Sequence, residues 1–79
     1  MTLVERGTEA VVLEIVRDVL GNAEVRPEHD LFELGFDSLR IARTAARVRE
    51  RLDVDLPLSV YFDMSTVAEL AGTVDAARP

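Results

Sequence analysis

The chain has 79 residues and a net charge of −6, which allows one small hydrophobic core and argues against nucleic acid as a partner. About half the residues are hydrophobic, none is cysteine and one is histidine (His29), so disulfides, thiolate metal sites and a Ser/His catalytic pair are excluded or hard to assemble. No apolar run approaches membrane-spanning length and the first residues lack a secretory pattern, so a monomeric cytoplasmic protein that is not an enzyme, with no membrane and no metal, is the expectation.

Residues 1–7 read as a loose lead-in ending at Gly7. Thr8 is the expected N-cap of a first helix over about 8–20, with Glu9 in its first turn. Val12, Ile15, Val16, Val19 and Leu20 recur at helical spacing, and Gly21 is a natural stop. Residues 21–37 then form a long connection punctuated by Gly21, Asn22 and Pro27. Loops of this length in a compact domain are functional or pinned by their own side chains. Val25, Leu31, Phe32, Leu34 and Phe36 are the expected pins. His29 reads as a solvated loop residue.

A second helix is expected from Ser38 to Leu52, capped by Asp37. Ile41, Ala45, Val48 and Leu52 form one apolar stripe. All nine basic residues are arginine, and five of them (Arg40, Arg43, Arg47, Arg49 and Arg51) lie in this helix with one acid, Glu50. Asp53 and Asp55 read as helix terminators rather than a cation site, and Pro57 to Phe62 as one short helical turn. Thr66 and Glu69 fit a capping box for a last helix over about 66–76 that buries Val67, Leu70, Ala71 and Val74, followed by a fraying tail. No hairpin signal competes. The fold class is therefore all-α: three main helices plus one short helix, with a long loop between helices one and two, in a single domain (1–79, core about 8–76).

Ser38 is the most informative residue. It falls where the loop becomes a helix, so its oxygen is exposed beside free N–H groups that favour an attached or bound phosphate. No general base is near it in sequence, and Arg40 stands where a nucleophile elbow needs glycine, which disfavours a serine hydrolase. Ser38 reads as an attachment point. From the residues alone, the bland reading is a serine that merely belongs to a helix cap.

The run Leu34-Gly35-Phe36-Asp37-Ser38-Leu39 resembles the attachment motif of the acyl and peptidyl carrier protein superfamily. Leu56 to Asp63 and Ser65 to Leu70 are similar to that family's third helix and the start of its fourth. The resemblance implies a four-helix carrier bundle with 4′-phosphopantetheine, taken from coenzyme A, covalently bound to Ser38. It implies a role for Asp37 in recognition by a phosphopantetheinyl transferase, beyond capping. It implies thioester-held acyl or aminoacyl cargo, and as partners that transferase, a loading enzyme (adenylation or acyltransferase), and tailoring or condensing enzymes. Leu39, Arg40, Arg43, Arg47 and Met64 are candidate partner contacts. The arginine-rich second helix departs from the acidic one of fatty-acid carriers, which predicts partners with acidic or apolar docking surfaces. The expectation is a discrete peptidyl carrier of a natural-product pathway. The alternatives are a polyketide acyl carrier or, in another class, a non-covalent helical adaptor.

Overall fold

The computed structural model describes residues 7–79; the lead-in expected over residues 1–7 lies outside the described residues except for Gly7, which is the first residue of a helix rather than part of a loose lead-in. Four α-helices follow in chain order: α1 Gly7–Leu20, α2 Ser38–Leu52, α3 Leu58–Asp63 and α4 Val67–Ala77. A short 3₁₀ turn, Phe32–Leu34, interrupts the α1–α2 loop. The described residues contain no strand, as the sequence predicts. No helix among them is long and apolar enough to cross a membrane.

Helix α1 packs against α2 and α4, and α3 packs against α2. Val12, Ile15 and Val16 from α1 meet Ile41 and Val48 from α2, and Val67, Leu70, Ala71 and Val74 from α4, in one core. Ala45 and Leu52 pack at its edge, so the predicted stripe of α2 is the buried one. Its stripe also includes Thr44, which is fully buried and donates its hydroxyl proton to the Arg40 carbonyl at 2.8 Å. That intrahelical bond satisfies the hydroxyl, which is how a polar residue enters the stripe.

The helix ends follow from local chemistry. Gly21, at φ 63°, ends α1: its N–H donates to Asp18 O, and the Asn22 N–H to Arg17 O. This paired closure needs a left-handed residue, which glycine adopts without strain. Asp53 ends α2 in the same left-handed region, at φ 57°, with a single bond from its N–H to Arg49 O. At α4 the Thr66 hydroxyl accepts the Glu69 N–H at 3.1 Å, while the Glu69 carboxylate accepts from the Ser65 N–H. The capping box is thus closed one residue earlier than its standard form.

Two expectations at the chain ends are corrected. Thr8 is not an N-cap; it lies inside α1, buried, and donates to Asp75 Oδ1 of α4 at 2.6 Å. The tail is tied rather than frayed, because Arg78 Nη1 donates to the Thr8 hydroxyl at 2.9 Å. One hydroxyl therefore joins the start of α1 to the end of α4.

Tyr61 of α3 is fully buried, yet its hydroxyl has no hydrogen-bond partner among the described residues. Burial, with a smaller contribution from the Asp55 carboxylate, pushes its pKa up to about 12. A raised folded-state value means that the Tyr61 contribution to stability is intact below about pH 10 and is lost as pH rises toward 12. Removing an unsatisfied buried hydroxyl is stabilising. Tyr61→Phe is therefore expected to raise stability by about 1 kcal/mol in urea unfolding, and to flatten the decline across that alkaline window. A destabilised variant would contradict the orphaned hydroxyl.

Candidate functional site

The long loop carries the chain from the end of α1 to the start of α2, and a few buried residues and backbone bonds hold it. Val25, Leu31 and Phe36 are buried in the core. The Leu31 N–H donates to Ser65 O at 2.8 Å, and the Ala68 N–H to Pro27 O at 3.1 Å, fastening the loop to the α3–α4 junction. The Arg17 guanidinium donates to Val25 O at 2.9 Å. His29 is half-buried rather than solvated, its Nδ1 accepting the Arg26 N–H at 3.0 Å.

The segment just before α2 is closed on itself. The Asp30 carboxylate accepts the Phe32 N–H, starting the 3₁₀ turn. The Leu34 and Phe36 N–H groups both donate to Leu31 O at 3.0 Å. Gly35, at φ 101°, supplies the left-handed residue that lets the chain turn back. Two of the predicted pins are corrected here: Phe32 and Leu34 are exposed, because the 3₁₀ turn points their side chains away from the core that holds Leu31 and Phe36. Phe32 still touches the edge of that anchor, with its ring 6.1 Å from the Phe36 ring.

Phe36 is thus fixed one residue before the cap. Asp37 adopts extended backbone and its Oδ1 accepts the Arg40 N–H at 3.0 Å, as the sequence predicts for an N-cap. Its second oxygen, Oδ2, accepts from Arg40 Nη1 at 2.9 Å. The backbone N–H of Arg40, and secondarily its guanidinium, hold the Asp37 carboxyl below the ordinary carboxylate range. Ser38 is the first residue of α2 and is exposed. The N–H groups of this first turn have no intrahelical acceptor, so they face outward with the positive end of the helix dipole. Among the described residues no cluster of histidine and acidic side chains could hold a metal.

The candidate contacts divide. Leu39 is exposed by 57% beside Ser38, and Leu58 and Phe62, four residues apart on α3, are about half exposed. The last two are not expected from the sequence. Their spacing on a helix of only six residues carries too little periodicity to separate the outer face from the inner. Met64 is partly buried against the core, with Thr73 donating to its sulfur at 3.6 Å, so it is not an exposed contact.

The arginine face is also redistributed. Arg47 is hydrogen-bonded to Asp18, and Arg51 donates to Glu14 at 2.9 Å, which makes two ion-pair rungs between α2 and α1. Arg40 is held by Asp37. Arg43 and Arg49 have no ion pair among the described residues and remain exposed. The rungs cross an open cleft of about 700 Å³ lined by Ile15, Asp18, Ala23, Arg47, Glu50 and Arg51 among others. Charges on both walls make this cleft unlike an apolar channel.

A family model described as the phosphopantetheine attachment site matches residues 10–74. One of the linear gramicidin synthase proteins of Brevibacillus parabrevis is 42% identical over 69 residues, 87% of this chain and 1% of that protein. A dimodular nonribosomal peptide synthase of Bacillus subtilis (strain 168) is 39% identical over 70 residues, 89% of this chain and 3% of that protein. The chain therefore spans only a few per cent of the length of these curated relatives. BlmI, a type-II acyl-carrier-protein from Streptomyces verticillus involved in bleomycin biosynthesis, superimposes with a TM-score of 0.82 at 30% identity, covering 87% of this chain and 83% of BlmI. A chain of the complex between the phosphopantetheine transferase Sfp, coenzyme A and a peptidyl carrier protein superimposes with a TM-score of 0.83 at 31% identity, covering 89% of this chain and 91% of that one.

The cap geometry has a pH-dependent consequence. A lowered folded-state pKa means that Asp37 stabilises α2 above the ordinary carboxylate pKa of about 4, and that this is lost as pH falls through the depressed value. Asp37→Ala should lower the thermal midpoint at neutral pH, Asp37→Asn should lower it less, and on acidification the gap between wild type and Asp37→Ala should narrow toward that between Asp37→Asn and Asp37→Ala. A gap that is constant with pH would contradict the charged cap.

Proposed function

The chain belongs to the phosphopantetheine attachment-site family of carrier proteins, and from that premise we propose that it is a peptidyl carrier whose attachment residue is Ser38. The observation that carries this reading is the geometry at the start of α2. An exposed hydroxyl stands at the first helical residue, behind an aspartate cap, at the end of a loop held by three buried side chains. The 4′-phosphopantetheine group, when bound, supplies the thiol that holds aminoacyl or acyl cargo as a thioester; this chain has no thiol of its own.

Ser38 contributes one atom. Its Oγ loses a proton and forms a bond to phosphorus as the pyrophosphate bond of coenzyme A breaks and the adenosine bisphosphate leaves. The base for that proton belongs to the transferase, since His29 is occupied in the loop. Asp37 orders the first turn of α2, so that the Ser38 hydroxyl is presented from a fixed helix end rather than from a loose loop. The arrangement suits a transferase as partner. The relatives of about 40% identity, gramicidin synthase proteins and a nonribosomal peptide synthase, support an aminoacyl cargo and an adenylation enzyme as loader.

Leu39, Leu58 and Phe62, with Arg43 and Arg49, are the surface we assign to the partner enzymes. Large exposed apolar side chains suit the desolvated centre of an interface, and charges at its rim tune encounter rate. Arg40 is engaged in the cap and Arg47 in a rung, so neither is free for a partner in this structure.

Two experiments test this reading. Incubation with coenzyme A and a broad-specificity transferase should add the mass of one phosphopantetheine, and Ser38→Ala should abolish the gain. No gain in wild type would favour a non-covalent adaptor. For docking, Arg43→Glu with Arg49→Glu should slow loading by the cognate adenylation enzyme by about 3–10-fold at low salt, with the thermal midpoint retained. Unchanged loading would remove these arginines from the interface.

A further inference from the structure

Ser38 lies between a carboxylate and a guanidinium that are already paired. Asp37 precedes it and Arg40 follows two residues later, with Arg40 Nη1 donating to Asp37 Oδ2 at 2.9 Å. Both side chains are about half exposed, so the pair is free to rearrange. The proposed modification sets a difficulty for this site. A phosphodiester on Ser38 places a permanent negative charge on the residue adjoining Asp37, whose Cα is about 3.8 Å away along the chain. The helix end offers partial positive charge, but the carboxylate of Asp37 is already drawing on it through the Arg40 N–H.

We propose that the Arg40 side chain is the counter-ion of the modified site: it leaves Asp37 Oδ2, in whole or in part, to donate to the phosphodiester carried by Ser38. This rests on Ser38 being the attachment residue. The guanidinium, rather than the helix end, has the capacity for this exchange. It has five N–H donors in a planar fork that suits phosphate oxygens, and in this structure it uses one of them on Asp37. The Asp37 cap does not depend on that bond, because its other oxygen, Oδ1, holds the Arg40 backbone N–H. The side chain can therefore change partner while the helix remains capped. No other arginine of α2 is so placed. Arg47 and Arg51 are tied to α1, and Arg43 and Arg49 lie further from the start of the helix.

Apart from positioning the phosphate, the exchange makes Arg40 a reporter of modification. In the unmodified chain its charge is spent on Asp37, and in the modified chain on the phosphodiester. The side chain thus gives enzymes that meet the carrier a different charge arrangement before and after attachment.

The experiment compares unmodified and modified forms of wild type, Arg40→Gln and Arg40→Gln with Asp37→Asn, with the mass gain verified first. Modification of wild type should leave the thermal midpoint within about 1 °C, whereas modification of Arg40→Gln should lower it by about 3–5 °C relative to its own unmodified form. Asp37→Asn in that background should remove the loss, because the repelling carboxylate is gone. A merely structural Arg40 would lower both forms of Arg40→Gln equally, and that result overturns the proposal. As a second readout in wild type, the Arg40 Nε–Hε NMR signal should shift and exchange more slowly with solvent on modification, while that of Arg43 stays unchanged. An unmoved Arg40 signal also overturns it, including where Arg40→Gln resists the transferase. Absence of any mass gain in wild type would instead overturn the Ser38 reading, and this proposal with it.

Discussion

The site depends on the burial of two side chains, Leu31 and Phe36, on either side of a turn closed by hydrogen bonds to one carbonyl. Leu31 lies under the helices and also bonds through its N–H to Ser65. Phe36 returns to the same core five residues later. Between them the chain has no freedom to choose where Asp37 and Ser38 emerge. Burying each of these large apolar residues contributes about 1.5–3 kcal/mol relative to leaving it exposed, which is a large share of the stability of a domain this small. Ser38, the first residue of α2, is thereby held at a fixed helix start.

The same economy governs charge. A chain of net charge −6 places five of its nine arginines on one helix, and most of that positive charge is answered within the domain. Asp18 and Glu14 of α1 take Arg47 and Arg51, and Asp37 takes Arg40. Exposed ion pairs of this kind contribute little stability each, because water and salt screen them. Among the described residues they leave Arg43 and Arg49 as the arginines of α2 without an ion pair, with the exposed Leu39 beside Ser38. The basic stripe of the sequence becomes a mixed surface in the fold.

Most of the architecture is legible in the sequence because it rests on short-range rules. The α2 bounds, the Asp37 and Thr66 caps, the Gly21 stop and the buried faces of α1, α2 and α4 all follow from spacing and cap chemistry. What is not legible depends on contacts between residues far apart in sequence. Thr8 resembles a cap because its true partners, Asp75 and Arg78, lie at the other end of the chain. The arginine stripe reads as free because periodicity along α2 carries no information about which α1 carboxylates stand opposite. Phe32 and Leu34 read as pins because a three-residue 3₁₀ turn leaves too short a pattern to tell the inward side from the outward. Ser38 itself is marked by its motif and its helix start, and the structure adds the Asp37–Arg40 pair around it, at the i,i+3 spacing that favours such pairs.

The central claim is that Ser38, and no other hydroxyl of this chain, receives the phosphopantetheine. The most direct measurement is tandem mass spectrometry of the tryptic digest after modification. Ser38 is the only serine, threonine or tyrosine between residues 18 and 40, so the peptide covering that range isolates it. The added group is expected on that peptide, with fragment ions placing it at Ser38. The added group on the peptide carrying Ser59 and Ser65, or on none, would contradict the claim.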